Sequence, residues 1–264
     1  MNIYLRELKA RRKSIIFWSI GLFLMDAASM NKFAGFEKSG QATQVFAAFP
    51  KGLARAFGLG NVDINTALGW FAMAFMYLLV LVAIHASLLG AGILAEEEQD
   101  KTAEFLYAKP ISRAKVITEK LLAALTLVII LNIVTLLSSI SMVAAFNKGV
   151  SPTKEILLMM AGMFVVQIIF MVIGSAAAAI VRKPKYAAAA ASAIMFSTFF
   201  VSLWLDITEK LPGLKYFTPY KYFDAKVIAN HQKFDYVYLV ISIGIIAAML
   251  AATYFFYEGR DLSI

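Results

Sequence analysis

The chain has 264 residues, of which 61% are hydrophobic and 16% charged, and its mean hydropathy is +0.73. A soluble domain is usually about half apolar and a quarter charged, so much of this apolar surface must face membrane lipid. The lack of cysteine excludes disulfides, thiolate metal sites and cysteine nucleophiles. The net charge is +8, but the basic residues flank apolar blocks and are not interleaved with aromatic residues as in a nucleic-acid-binding surface, so no nucleic-acid partner is expected.

Residues 1–13 precede the first apolar stretch and carry a basic cluster. Apolar side chains recur there at the spacing of one helical face, namely Met1, Tyr4, Leu5 and Leu8. This pattern predicts an amphipathic helix that lies at the inner membrane interface before the chain turns into the bilayer, the alternative being a basic flank without structure of its own. The start also resembles a signal peptide, but no small-x-small cleavage site follows, so we expect residues 14–33 to be retained as a first span.

Five further blocks of 20 to 29 residues contain no Asp, Glu, Lys or Arg, and each is long enough for a helix to cross a bilayer. The predicted spans are residues 14–33, 67–95, 121–146, 156–181, 186–205 and 236–257. Six spans place both termini on one side of the membrane. That side holds 14 of the 25 Lys and Arg residues, although its loops and termini are shorter in total than those of the other side. Basic loops stay in the cytoplasm, so both termini are predicted to be cytoplasmic. The sequence has no repeat of fixed period and is predicted to form one all-α domain, residues 1–264.

Two long loops, residues 31–66 and 207–235, are predicted on the outer side. The first has Gly and Pro residues around one short helical piece near 41–49. The second is rich in aromatic residues that suit headgroup depth and is expected to hold a short interfacial helix. Runs of small residues at 174–179 and 187–193 permit close helix approach, which we expect between the fourth and fifth spans.

Few ionisable or strongly polar side chains fall within the spans. Asp26 interrupts the first span, and we interpret it as lying near the outer end, exposed to water or close to Lys32. His85 either lines a substrate path or hydrogen-bonds a neighbouring helix, while Asn132 and Gln167 either join helices or form a polar wall for a cargo. These last three side chains are the predicted substrate-path residues. No second ligand accompanies His85 at metal-binding spacing, so no metal site is predicted.

The most informative stretch, residues 96–113, follows the second span on the predicted cytoplasmic side. It begins with three consecutive acidic residues at a helix C-terminus, where negative charge opposes the helix dipole, so another benefit is expected to keep them there. A short amphipathic piece over 102–108 ends before Pro110, which disfavours helix at the preceding residue, and Ser112 is predicted to cap the next helix. The segment is therefore predicted to be a short cytoplasmic helix held between two long spans.

This stretch resembles the permease subunits of type 2 ABC exporters, in particular the bacterial branch with stand-alone ATPase subunits. The family pattern is an acidic cluster, a Gly-Thr or Lys-Thr step, a Glu, two or three apolar residues, Pro-x-Ser-Arg and a following Lys. The matching residues are Glu96, Glu97, Glu98, Lys101, Thr102, Glu104, Phe105, Leu106, Pro110, Ser112, Arg113 and Lys120. Many members have Gly where this chain has Lys101. Weaker similarities at 214–223 and 259–262 extend the resemblance over essentially the whole chain.

The resemblance implies an N-terminal interface helix and a coupling helix in 96–113 that sits in a groove of a separate ATPase. Two permeases, one of them expected to be a second copy of this chain, would work with two ATPases in the bacterial cytoplasmic membrane. The apolar residues of the coupling helix would fill the groove, and its charged residues would set the register with the partner. The alternative is a solvated loop whose charges only set topology. The implied coupling residues are Glu96, Glu97, Glu98, Thr102, Glu104, Phe105, Leu106, Tyr107, Pro110, Ser112 and Arg113.

The chain has no G-x-x-x-x-G-K-[ST] motif to cradle phosphates, so it is predicted to be a transport subunit and not an enzyme, with ATP and Mg²⁺ bound by the partner ATPase. The expected cargo is amphiphilic, such as an antimicrobial or toxin-like peptide or a lipid, and the chain is expected to contact membrane lipid. Two other classes of membrane protein fit the sequence less well. An ATP-independent secondary carrier usually shows charged midplane residues or inverted repeats, and a membrane-embedded enzyme needs clustered ionisable groups; the spans offer almost none of these features.

Overall fold

The structure, a computed structural model, describes residues 2–39, 50, 52, 54, 62–104, 110–147, 149, 152–208 and 211–260. Within these residues the chain is helical and forms no β-strand. The α-helices are α1 (Ile3–Ser39), α2 (Ala67–Gln99), α3 (Arg113–Phe146), α4 (Thr153–Ile180), α5 (Ala187–Thr208), α6 (Ala225–His231) and α7 (Tyr236–Glu258). Short 3-10 helices occur at Pro184–Tyr186, Pro212–Phe217 and Pro219–Lys221. All the α-helices except α6 are long and apolar enough to cross a membrane, which confirms the predicted six-span, all-α fold.

The amphipathic N-terminal segment is helical, but it forms the first turns of α1 and is not a separate helix. α1 continues from Ile3 to Ser39 without the turn that was expected near residue 13. Glu119 of α3 accepts hydrogen bonds from the backbone N–H groups of Ile3 (3.0 Å) and Tyr4 (3.4 Å), which caps the free N–H groups at the start of α1. Because α3 itself begins eight residues before its apolar block, it offers this segment a surface in line with the first span.

The centre of the bundle is the pair α2 and α4, which share the most extensive interhelical contact. Glycine permits their closest approach. A Cβ on Gly174 would lie 2.2 Å from the carbonyl oxygen of Ser87, and a Cβ on Gly90 would lie 1.9 Å from that of Met171. The small-residue run of the fourth span therefore makes its tightest contact with the second span, whereas the sequence led us to expect it against the fifth. The exposed side chains of α1, α5 and α7 are largely apolar, as contact with lipid requires.

The aromatic segment between α5 and α7 folds back onto the bundle. Phe223 packs against Gly162 of α4, and Tyr222 stacks on Tyr238 with ring centroids 5.1 Å apart. The Tyr222 hydroxyl donates a hydrogen bond of 2.6 Å to the carbonyl oxygen of Tyr216. α6 is the short helix predicted for this loop. The helical piece predicted near 41–49 lies outside the described residues.

Candidate functional site

The acidic run of the predicted coupling segment forms the last turn of α2. The helix ends with two backbone hydrogen bonds, from Asp100 N to Glu96 O (2.9 Å) and from Thr102 N to Glu97 O (2.8 Å). The second bond closes a Schellman-type end, in which the residue between cap and closing N–H adopts the left-handed conformation. Lys101 occupies that position with φ of 55°. The family pattern described above allows glycine at this step, and glycine adopts this conformation without a Cβ penalty.

Glu97 is the most strongly paired of the three acidic residues. Its side chain is 4% exposed and contacts Arg6 of α1 at 2.7 Å and the ammonium of Lys120 of α3. Lys120 is fully buried and also donates a hydrogen bond of 2.5 Å to the carbonyl oxygen of Ile93. Glu97 thus joins three helices by charge-assisted contacts in a place from which water is largely excluded.

The two neighbouring glutamates extend these contacts. Glu96 pairs with Arg11 of α1 at 2.5 Å, and Glu98 pairs with Arg260, just after α7, at 3.0 Å. Arg260 also donates to the carbonyl oxygens of Ala178 at the end of α4 (2.8 Å) and Arg182 (3.0 Å). We call the group the ion-pair cluster; its members are Arg6, Glu7, Arg11, Glu96, Glu97, Glu98, Lys120 and Arg260.

Within the ion-pair cluster the side chains of Glu97 and Glu98 are both buried, and each pairs with a cation of this chain. Their predicted role in coupling stays a prediction. The same contacts supply the benefit that the sequence required, because cations from three other elements offset the unfavourable charge at the C-terminus of α2.

The remainder of the predicted coupling segment differs in exposure. Ala103 and Glu104 are helical, and Thr102, Glu104 and Pro110 are exposed. Ser112 caps α3 as predicted, since its Oγ accepts a hydrogen bond of 3.3 Å from Lys115 N. Arg113, the first residue of α3, donates to the carbonyl oxygens of Glu258 (2.9 Å) and Arg260 (2.5 Å). The predicted groove-filling residues Phe105, Leu106 and Tyr107 lie outside the described residues.

The predicted substrate-path residues fall in two places. Asn132 of α3 donates hydrogen bonds to Gln167 Oε1 (3.1 Å) and to the carbonyl oxygen of Met160 (3.2 Å), both on α4, so this pair joins two helices. His85 of α2 instead packs edge-on against Trp18 of α1, with ring centroids 5.3 Å apart. Its Nδ1 is buried and has no hydrogen-bond partner among the described residues, and the same holds for Gln167 Nε2.

Exposure to water, one of the two environments expected for Asp26, is wrong, because Asp26 is 2% exposed. The other, a position close to Lys32, is compatible with the structure, since both residues line the same groove. Ser139 of α3 donates a hydrogen bond of 2.9 Å to Asp26 Oδ2. This groove lies between α1 and α2, at the end of these helices opposite the ion-pair cluster, and Asp26 is among its lining residues.

Sequence reasoning did not identify Arg6, Arg11 and Arg260 as partners of the acidic run. A signal was present, because the predicted topology puts these three cations and the three glutamates on one membrane side. Lys120, directly before an uncharged block, was noted only as part of the family pattern. A lysine at that point is buried when an acidic neighbour can pair with it.

Comparison with known proteins places the chain in one family. A family model described as "ABC-2 family transporter protein" matches residues 1–262, which is nearly the whole chain. No curated protein matches the sequence.

Proposed function

The chain belongs to the ABC-2 family of transporter proteins, and we propose that it is the membrane-spanning permease subunit of an ATP-driven exporter for an amphiphilic cargo. Permeases of this family generally pair with a separate ATP-binding subunit. In the proposed complex two permeases, one of them a second copy of this chain, work with two such ATPases, which bind ATP and Mg²⁺. The chain lies in a bacterial cytoplasmic membrane with both termini in the cytoplasm.

The observation that carries the proposal is the position of the ion-pair cluster at the base of the 96–113 segment. Glu97 links the end of α2 to Arg6 of α1 and to Lys120 of α3, and Glu98 links it to Arg260 after α7. A displacement of the segment therefore cannot move α2 alone. Buried ion pairs are costly to break singly, so the joined helix ends respond as one unit.

The proposed contact with the ATPase divides the coupling residues into two groups. Glu104 and Pro110 are exposed. In the proposed complex these two residues enter the ATPase groove together with the apolar residues Phe105, Leu106 and Tyr107. Glu96, Glu97 and Glu98, with Thr102, Ser112 and Arg113, position that surface by fixing the end of α2 and the start of α3. A partner would thus contact the first group directly, whereas the second group would affect the partner only by fixing the position of the segment.

The proposed cargo path concerns three polar residues within the spans. Asn132 and Gln167 pair with each other between α3 and α4, which accounts for both side chains as helix contacts. A role for His85, Asn132 and Gln167 along a path stays a prediction. Export as the direction of transport is likewise part of the proposal.

Affinity purification tests the role of the segment. The tagged chain is purified from its native membrane, and co-purifying proteins are identified by mass spectrometry. We expect a polypeptide with P-loop and ABC signature motifs. Phe105→Ala and Glu104→Lys should each reduce its recovery, because they remove an apolar anchor and reverse an exposed charge.

Glu258→Lys is the matched control, since it makes the same charge change at an exposed glutamate on the same membrane side. Recovery of the ATPase should be unchanged with this variant. Absence of any such ATPase from the wild-type purification would favour a secondary carrier. Equal recovery with Glu104→Lys, Phe105→Ala and the control would remove the segment from the interface.

A further inference from the structure

The groove between α1 and α2 has a volume of about 360 Å³. That volume lies in the range of small-ligand sites. Its walls combine methionine and aromatic side chains with three polar residues, Asp26, Ser29 and Lys32. Methionine adapts to ligands of varied shape, and the aromatic rings offer faces to a cation. The groove is therefore apolar with a few polar points, as expected for a site that takes an amphiphile.

Asp26 is an ionisable group far from either end of its helix. About 20 Å of helix separates it from Lys13, which places it well inside a bilayer of about 30 Å. Ser139 donates one hydrogen bond to Oδ2, and among the described residues no Lys, Arg or His forms an ion pair with the carboxylate. Carboxylates in membranes are usually paired or functional.

The contrast with the opposite end of the bundle strengthens this point. Glu96, Glu97 and Glu98 each have a cationic partner within this chain. Asp26 is as deeply buried as Glu97 and Glu98, yet it lines a groove and has no ion pair with any residue that the structure describes. A cation supplied by a ligand would complete the site.

An aromatic side chain beside Asp26 is held in a fixed orientation. Trp70 Nε1 donates hydrogen bonds to the carbonyl oxygen of Ser29 (3.0 Å) and to Ser29 Oγ (3.2 Å), and the ring packs 5.4 Å from that of Phe36. An ordered aromatic wall next to a carboxylate is the combination that recognises ammonium groups, through cation–π attraction and charge pairing.

Lys32 sets the direction in which a ligand enters. It is exposed and lies six residues, or about 9 Å along α1, beyond Asp26 toward the end of the helix. Its ammonium repels a second cation at the mouth of the groove, whereas Asp26 attracts one at depth. The ligand's cationic group is therefore expected at Asp26, away from Lys32.

We propose that the α1–α2 groove binds the ammonium group of a cationic amphiphile, with Asp26 as its counter-charge. The assignment deepens the proposed function and rests on it in one respect only, namely that the bound amphiphile is the cargo. Binding itself requires neither the ATPase nor transport.

Fluorescence quenching by a brominated probe tests the site. Trp18 and Trp204 are replaced by Phe so that Trp70, in the groove, is the remaining tryptophan. The protein in dodecyl maltoside is titrated with 11-bromoundecyltrimethylammonium and, separately, with the neutral 11-bromoundecanol. We expect saturable quenching by the ammonium probe and an affinity about tenfold lower after Asp26→Asn, because a desolvated ion pair is lost. The affinity for the alcohol should not change.

Lys32→Gln provides a second variant on an exposed residue, which keeps the test decisive if Asp26→Asn fails to fold. Removing the repelling charge should tighten binding of the ammonium probe several-fold without affecting the alcohol. Equal affinity of the two probes for the starting protein, or an ammonium affinity that neither substitution changes, would overturn the site. Such a failure would leave the ATPase purification unaffected, whereas loss of ATPase recovery would contradict the proposed function and leave this binding result standing.

Discussion

Removing the buried ammonium of Lys120 should destabilise the protein far more than removing Arg6, the other cation that contacts Glu97. Lys120 is fully buried, and its loss leaves the carbonyl oxygen of Ile93 without this donor and Glu97 with Arg6 as its remaining cationic partner. Breaking a buried pair by removing one partner costs about 3–5 kcal/mol. Arg6 also contacts Glu97, but its side chain is 40% exposed, so Arg6→Met should cost only about 1 kcal/mol or less. The expected order is Lys120→Met well above Arg6→Met.

Unfolding of the purified protein by a graded mixture of dodecyl sulfate in mild micelles measures these differences. Lys115→Met is the control, because Lys115 lies on the same helix but is exposed. The double variant Lys120→Met/Glu97→Leu should lose less free energy of unfolding than Lys120→Met alone, since the buried carboxylate that has lost its buried partner is removed as well. Equal free energies of unfolding for Lys120→Met and Lys115→Met would refute the reasoning. So would a double variant that loses more free energy of unfolding than Lys120→Met and Glu97→Leu together.

Three further predictions concern the packing, the end of α2 and the aromatic segment. Gly174→Ala should cost about 1–3 kcal/mol because the new methyl meets a backbone carbonyl, whereas Gly244→Ala, which meets no atom within 4 Å, should be neutral or stabilising; thermal unfolding compares them. Lys101→Gly should raise stability by about 1 kcal/mol by relieving a left-handed residue, and Lys101→Ala should give no gain in the same assay. Burial raises the pKa of Tyr222 to about 12 from an ordinary 10. The contribution of its neutral hydroxyl to the free energy of unfolding is therefore complete below pH 10 and is lost as the pH rises from 10 to 12. The fall in unfolding temperature over that window should be smaller in Tyr222→Phe than in the wild type; equal falls would contradict the assignment.

The sequence predicted the spans because long uncharged blocks have few other uses in a chain of this composition. The helix ends on the charged side were harder to predict. α2 continues to Gln99, and α3 starts at Arg113, because ion pairs and a serine cap extend both helices beyond their apolar blocks. Hydropathy contains no information on such pairs, which join residues up to 162 positions apart.

The same limit applies to individual polar residues. A serine on another helix and a groove wall decide the environment of Asp26, and neither is visible in the sequence around it. The family pattern directed attention to residues 96–113, but it could not separate side chains that face the chain's own interior from those that face outward. Glu97 and Glu104 are the same residue type and lie seven residues apart, yet one is buried and the other is exposed.

The ion-pair cluster and the α1–α2 groove lie at opposite ends of the same two helices. Between Arg6, in the cluster, and Asp26, in the groove, α1 runs about 30 Å without a break. A helix of this length transmits a tilt applied at one end to the other, since its backbone hydrogen bonds resist bending. In the proposed function, a push on the 96–113 segment shifts the end of α2 and, through Glu97 and Arg6, the start of α1. The width of the groove then depends on how these two helices are tilted against each other, so the nucleotide state of the ATPase would set the affinity for an ammonium cargo without any contact between the two sites.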